Sequence, residues 1–194
     1  MAGPSTFPRT QRIGILVYDR FEPIDVWGFL EAFSIARFLG TGYASPPPYP
    51  FEIALIGRTM ANVKSINGPS VAPDWDFDRA RREPLDLLMV PGGGGTWPLL
   101  DDRADPTGVA ALLEWMRAMD GKVRIMASVC TGAAVLAKCG FLDGLPATTN
   151  HGAFGWVASH GPQALWDNVS RWVDAGKYVT SAGVSAGTDL GFHL

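Results

Sequence analysis

Four short, nearly continuous apolar runs of β type, at 13–18, 51–56, 85–90 and 123–129, are separated by segments of helical periodicity. Runs apolar on both faces belong to strands covered on both sides, and strands alternating with helices fold as an open, mostly parallel sheet with helices on both faces. After the first run, Val26, Phe29, Leu30 and Phe33 recur at helical spacing, which predicts a helix over 24–39. Asn67-Gly68 breaks the stretch 63–73 as a small hairpin would. Val109, Leu112, Leu113 and Met116 mark an amphipathic helix ending near Asp120-Gly121. A short strand-like piece at 146–149, a helix over 151–159, a β-pair around 169–180 and a helical start after Gly183 complete the order. Residues 1–11 read as a flexible N-terminal segment and 12–194 as one domain.

Composition narrows the class. Of 194 residues, 47% are hydrophobic and 18% charged, too apolar for a disordered chain. Sixteen Lys and Arg against 19 Asp and Glu leave a net charge of -3, so the cationic footprint of a nucleic-acid binder is missing. No apolar run approaches the roughly 18 to 20 residues that span a bilayer. No signal-peptide pattern opens the chain, so a cytoplasmic location with neither membrane nor nucleic-acid partner is expected. Cys130 and Cys139 fall in what reads as one helix, about 13 Å apart along its axis, and cannot bridge each other.

In such a sheet, ligands sit beyond the carboxyl ends of the strands. Three features fall there: Asp25, the Gly92-Gly93-Gly94-Gly95 loop and Cys130. A thiol where a strand turns into a helix meets unsatisfied N–H groups and the positive end of the helix dipole, which should lower its pKa. It could equally be one more small buried hydrophobe. Four glycines permit an oxyanion hole, although neither nucleotide-binding fingerprint is present. Asp25 can serve the helix dipole or, if it faces Cys130, exchange a proton with it. His151 and His160 lie in or beside predicted helices, and no metal-ligand spacing such as Cys-x-x-Cys is found.

Five ordered motifs together resemble the ThiJ/PfpI family of the class I glutamine-amidotransferase-like superfamily. They are Phe21-Glu22-Pro23-Ile24-Asp25-Val26-Trp27-Gly28, Val90-Pro91-Gly92-Gly93, Ala127-Ser128-Val129-Cys130-Thr131-Gly132-Ala133, Leu142-Asp143-Gly144 with Ala147-Thr148-Thr149, and Thr180-Ser181-Ala182-Gly183-Val184-Ser185-Ala186-Gly187. Asp25 with Cys130-Thr131 is similar to the isonitrile hydratase branch; protease-like and deglycase-like members usually carry Glu at the acid position and often His after the cysteine. The resemblance implies a flavodoxin-like fold, a homodimer, and hydration of a small isonitrile to an N-formamide without metal or cofactor.

It further implies Cys130 as nucleophile, Asp25 as acid/base, and Thr131 and Asp189 as polar members of the site. Backbone N–H groups of Gly93 and Thr131 would hold negative charge, and Trp27, Gly94, Asn150 and His151 would meet substrate. Phe29, Trp97, Phe154 and Trp156 are candidate apolar walls, with ordinary core packing as their other reading. Thr149-Asn150-His151 departs from the Thr-His-Trp of many relatives. Two other functions stay open: a ligand-sensing domain of a transcriptional regulator, and glyoxalase or deglycase action on reactive carbonyls.

Overall fold

The computed structural model describes residues 8–41 and 48–194. Residues 1–7 of the expected N-terminal segment lie outside them, while Gln11 already opens the first strand. The order is β1 (Gln11–Leu16), α1 (Pro23–Ser34), β2 (Phe51–Gly57), β3 (Val63–Lys64), β4 (Ser70–Val71), β5 (Trp75–Asp76), α2 (Phe77–Arg82), β6 (Leu87–Val90) and α3 (Thr96–Leu99). Then come α4 (Pro106–Asp120), β7 (Ile125–Val129), α5 (Ala133–Lys138), β8 (Pro146–Thr148), α6 (Phe154–Ala158), β9 (Leu165–Asp167), β10 (Trp172–Ala175), β11 (Tyr178–Ser181) and α7 (Ser185–His193).

Seven strands form the central sheet in the order β10-β11-β7-β6-β1-β2-β5. Its neighbours run parallel, except that β10 returns antiparallel beside β11. The expected hairpin forms as β3 and β4. Every residue of β6 and of β7 is buried, which is why their sequences read as unbroken apolar runs. From β1 the chain crosses to β2 on one side and later to β6 on the other, so a crevice opens beyond the ends of β1 and β6. Cys130 follows β7 directly, Gly92 lies in the loop after β6 and Asp25 in the helix after β1, and the three meet at that end.

Helices pack around the sheet by close approach and stacking. On α7, Gly187 lies against Val129 and Gly191 against Ala32 of α1; a Cβ at either glycine would come within 2.6 and 2.9 Å of those side chains. Trp115 of α4 is fully buried, stacks on Phe77 with ring centroids 4.0 Å apart, and donates its indole N–H to the Phe77 carbonyl.

One expectation needs correction. The helix predicted over 24–39 stops at Ser34, because the apolar stripe ends at Phe33: Ile35 caps the helix and Leu39 is 99% exposed. Two stretches to which the sequence reading assigned no element also hold structure: α3 follows Gly95, and β5 with α2 occupies 75–82, where the Asp76 side chain caps the helix by accepting from the Arg79 N–H.

Candidate active site

β7 ends in extended backbone at Val129, and Cys130 then takes φ 57, a conformation that costs a non-glycine residue about 1 to 2 kcal/mol. Three glycines make the turn possible. A Cβ on Gly132 would lie 2.2 Å from the Val90 carbonyl oxygen, and one on Gly92 would lie 2.7 Å from Cys130 Cβ. Gly183, at φ 98, leaves no more room: its Cβ would be 2.5 Å from Cys130 Cβ and 3.0 Å from the sulfur. The buried Thr149 hydroxyl donates to the Cys130 carbonyl at 2.8 Å and pins the strained residue from a third side.

Asp25 sits in the first turn of α1 and is fully buried. Its Oδ2 accepts from the Gly92 N–H at 2.9 Å and its Oδ1 from the Val184 N–H at 3.2 Å. Val184 holds φ 53, a rare state for a β-branched residue, so two strained residues converge on one carboxylate. Burial pushes the Asp25 carboxyl up to about 7, against the pull of the two N–H groups and of a hydrogen bond from Cys130.

The expected low-pKa thiol is not what forms. Burial, reinforced by the Asp25 charge, pushes the Cys130 thiol up to about 12, against the opposing pull of the Thr131 N–H, the Asn150 side chain and the Thr131 hydroxyl. The dipole behind it is a three-residue turn and the six-residue α5, too little to outweigh desolvation. Cys130 rests as a neutral thiol that keeps 8% of its surface exposed, beside a carboxyl group that burial pushes up to about 7.

Of the two backbone donors expected to hold negative charge, the Thr131 N–H is directed at the sulfur and the Gly93 N–H at the Thr131 hydroxyl, 3.1 Å away. Asn150 reaches the sulfur while its Oδ1 accepts from the Ala153 N–H. Gly94 lies beside Arg20 and Ile66. Trp27 is 40% exposed, because the buried residues of α1 are Asp25, Val26, Phe29 and Phe33. His151 is exposed as well. Asp189 is not gathered in: Ala186, Gly187, Leu190 and Gly191 bury the inner stripe of α7, which turns position 189 outward to pair with Arg171. Phe29 is core, packed on Phe33, whereas Trp97 and Trp156 stack on each other. Cys139 caps α5, and both cysteines are free.

Sequence reasoning missed Tyr18 and Thr96. Tyr18 donates to the Pro91 carbonyl at 2.6 Å and meets the Thr96 hydroxyl at 3.1 Å; Thr96 meets the Thr131 hydroxyl at 2.9 Å. Their only signals were a tyrosine closing the first apolar run and a threonine closing the glycine loop. Among the described residues, no group of three or more His, Cys, Asp or Glu side chains is arranged to hold a metal, and no helix is long and apolar enough to cross a membrane.

A flavodoxin-like sheet with a cysteine on a strained strand-to-helix turn, and a buried acid beside it, defines a class of cysteine-centred α/β proteins. Within that class the chain belongs to the DJ-1/PfpI family, whose profile matches residues 11–194. It is 28% identical over 183 residues to an isonitrile hydratase of Pseudomonas putida, covering 94% of this chain and 70% of that protein. The crystal structure of a ThiJ/PfpI family protein from Pseudomonas syringae superposes with a TM-score of 0.75 at 25% identity, covering 98% of this chain and 73% of that one. Over 64 residues, a third (33%) of this chain and 22% of the relative, it is 36% identical to an HTH-type transcriptional regulator of Mycobacterium tuberculosis.

Proposed function

We propose that the protein hydrates a small isonitrile, R–N≡C, to the N-formamide R–NH–CHO, with Cys130 as nucleophile and Asp25 as the group that moves protons. The observation that carries this reading is the buried Asp25 carboxyl beside Cys130, held by the N–H groups of Gly92 and Val184 in backbone segments that pack on the cysteine, and pushed up to about 7. A carboxylate near that value accepts a proton at neutral pH and gives it back readily, as general acid–base catalysis requires. Likeness to the Pseudomonas putida enzyme supports the choice of substrate class.

Asp25 takes the thiol proton as the sulfur bonds to the terminal carbon. The acid then delivers that proton to the same carbon, leaving a thioimidate, R–N=CH–S–Cys130. Water adds across C=N, with Asp25 accepting its proton and passing it to nitrogen. The hydroxyl adduct collapses to the formamide, breaks the C–S bond and restores the thiol. One isonitrile and one water are consumed and one formamide is formed.

The same proposal includes a homodimer. Ile24 and Trp27 of α1, with Val184 and Phe192 on and beside α7, are 41%, 40%, 48% and 64% exposed, an apolar face that a second copy would cover. The test of function is direct: purified protein mixed with a simple alkyl isonitrile should yield the formamide, followed by NMR, faster than it consumes methylglyoxal in the same tube. No formamide with intact, folded protein would remove the assignment. A ligand-sensing reading is favoured by the stretch shared with the regulator, and saturable isonitrile binding without turnover would select it.

A further inference from the structure

A cavity of about 350 Å³ opens beyond the carboxyl ends of β1 and β2, where α2, α3 and α4 converge. Its size lies near the small end of the roughly 300 to 1,000 Å³ of ligand pockets. Asp25, Gly92, Cys130 and Thr131 take no part in its lining, so it is separate from the site described above. Its floor is apolar, made by Leu16, Val17, Phe77, Leu99 and Leu112. Phe77 is held in place by the stacked ring of Trp115, 4.0 Å away between centroids.

The rim carries both signs of charge. Arg58, the residue after β2, reaches Asp105 Oδ2 through Nη1 at 3.2 Å and has no other partner among the described residues, so most of its N–H groups are uncommitted. Gly108 makes that placement possible: a Cβ there would come 2.3 Å from Arg58 Nη1 and 1.9 Å from Asp105 Oδ2, so only a bare first turn of α4 leaves the pair room to lie across it. The Thr59 oxygen accepts from the Ala61 N–H at 3.3 Å, which leaves its own proton as a further donor. Asp105 is spent, because its other oxygen accepts from the Gly108 N–H at 2.8 Å. Asp19 is not spent: Oδ1 accepts from the Lys64 N–H at 2.9 Å, and Oδ2 has no partner among the described residues.

A simple anion bound here would have two carboxylates for neighbours, and a simple cation would have a guanidinium. A small molecule that carries both charges answers both ends of the rim and can lay an apolar group on the floor. We infer that this cavity binds a free α-amino acid with an apolar side chain: its carboxylate on Arg58 and Thr59, its ammonium on Asp19 Oδ2, and its side chain against Leu16, Phe77 and Leu112. Charge-assisted hydrogen bonds hold the head, and removal of apolar surface from water holds the tail. No bond forms or breaks. The site stands whether or not Cys130 acts on isonitriles.

The test is titration of the ¹⁵N-labelled protein with L-leucine, followed by NMR, against three analogues: 4-methylpentanoate, which lacks the ammonium, 3-methylbutylamine, which lacks the carboxylate, and glycine, which lacks the side chain. Leucine should bind with a dissociation constant below about 1 mM, within reach of a ligand of its size, and should move the amide signals of 58–63 and 99–112. Each analogue should bind at least about tenfold more weakly. Arg58→Gln and Asp19→Asn should each weaken leucine about five- to tenfold, with thermal melting as the check on folding; Asn keeps an oxygen for the Lys64 N–H. Absence of saturable leucine binding at 20 mM overturns the site. Equal binding of 4-methylpentanoate or of the amine overturns the zwitterion, and this arm needs only the wild-type protein. Folded Arg58→Gln and Asp19→Asn proteins with wild-type affinity would place the amino acid elsewhere and overturn the assignment of the cavity.

Discussion

Asp25, in the first turn of α1, and Cys130, just past the end of β7, lie on the same two backbone segments, Gly92 and Gly183-Val184, and neither group is well suited to carry charge at rest. Burial raises both, the acid to about 7 and the thiol to about 12. The ordering matters more than either value: in the proposed mechanism the proton stays on sulfur until the substrate draws it to the carboxylate.

Replacing Cys130 by Ala should therefore abolish formamide production while leaving the fold intact. The side chain is small, and the φ of 57 is as costly for Ala as for Cys, so melting should shift by no more than a few degrees. Formamide formation by the folded Ala variant at more than about a hundredth of the wild-type rate would show that the sulfur is not the nucleophile.

The pH dependence follows from Asp25 acting first as a base. Below about 7 the carboxyl is protonated and cannot take the thiol proton, so kcat/KM should fall about tenfold per pH unit there and level off above. Asp25→Asn should erase that limb and lower the plateau by about 10² to 10⁴. A wild-type profile flat from pH 5 to 8 would exclude the role.

The sites of Asp25 and Cys130 were legible because they depend on order along the chain: each follows a strand whose apolar run is unmistakable, and a doubly wound sheet brings such ends together. What lay hidden depends on depth and angle. The raised thiol could not be read from Cys130-Thr131-Gly132, which advertises a helix start but says nothing of how closely Gly92 and Gly183 pack on Cys130. Asp189 resembled a site residue, yet the two-residue offset from Gly187, which must touch Val129, turns it outward. Thr96 was invisible because its partners, Tyr18 and Thr131, come from two other strand ends.

A pair of glycine substitutions separates backbone strain from crowding of the sulfur. Gly176 and Gly183 both have positive φ, 83 and 98, but a Cβ meets nothing within 4 Å at Gly176 and comes 3.0 Å from the sulfur at Gly183. Gly176→Ala should lose about 1 to 2 kcal/mol with activity unchanged. Gly183→Ala adds overpacking of about 1 to 3 kcal/mol and should silence Cys130 toward both iodoacetamide and isonitrile. Equal activity in the two variants would mean that Gly183 does not bound the reactive pocket.

The final prediction concerns stability, and its sign is opposite to that of an ordinary salt-bridged acid. Asp25 is raised on folding from 3.8 to about 7, so the folded state holds its proton more tightly than the unfolded chain. That contribution is fully present below about pH 4, is lost as pH rises toward 7, and stays lost above, where folding must bury a carboxylate. Asp25→Asn removes the charge and keeps a carbonyl oxygen for the Gly92 N–H, so at pH 9 it should melt a few degrees above the wild type. Near pH 4 the wild-type carboxyl is already neutral, and the two melting temperatures should converge or cross. A variant less stable than the wild type at pH 9 would mean that the Gly92 and Val184 N–H groups, together with Cys130, stabilise the carboxylate by more than its burial costs.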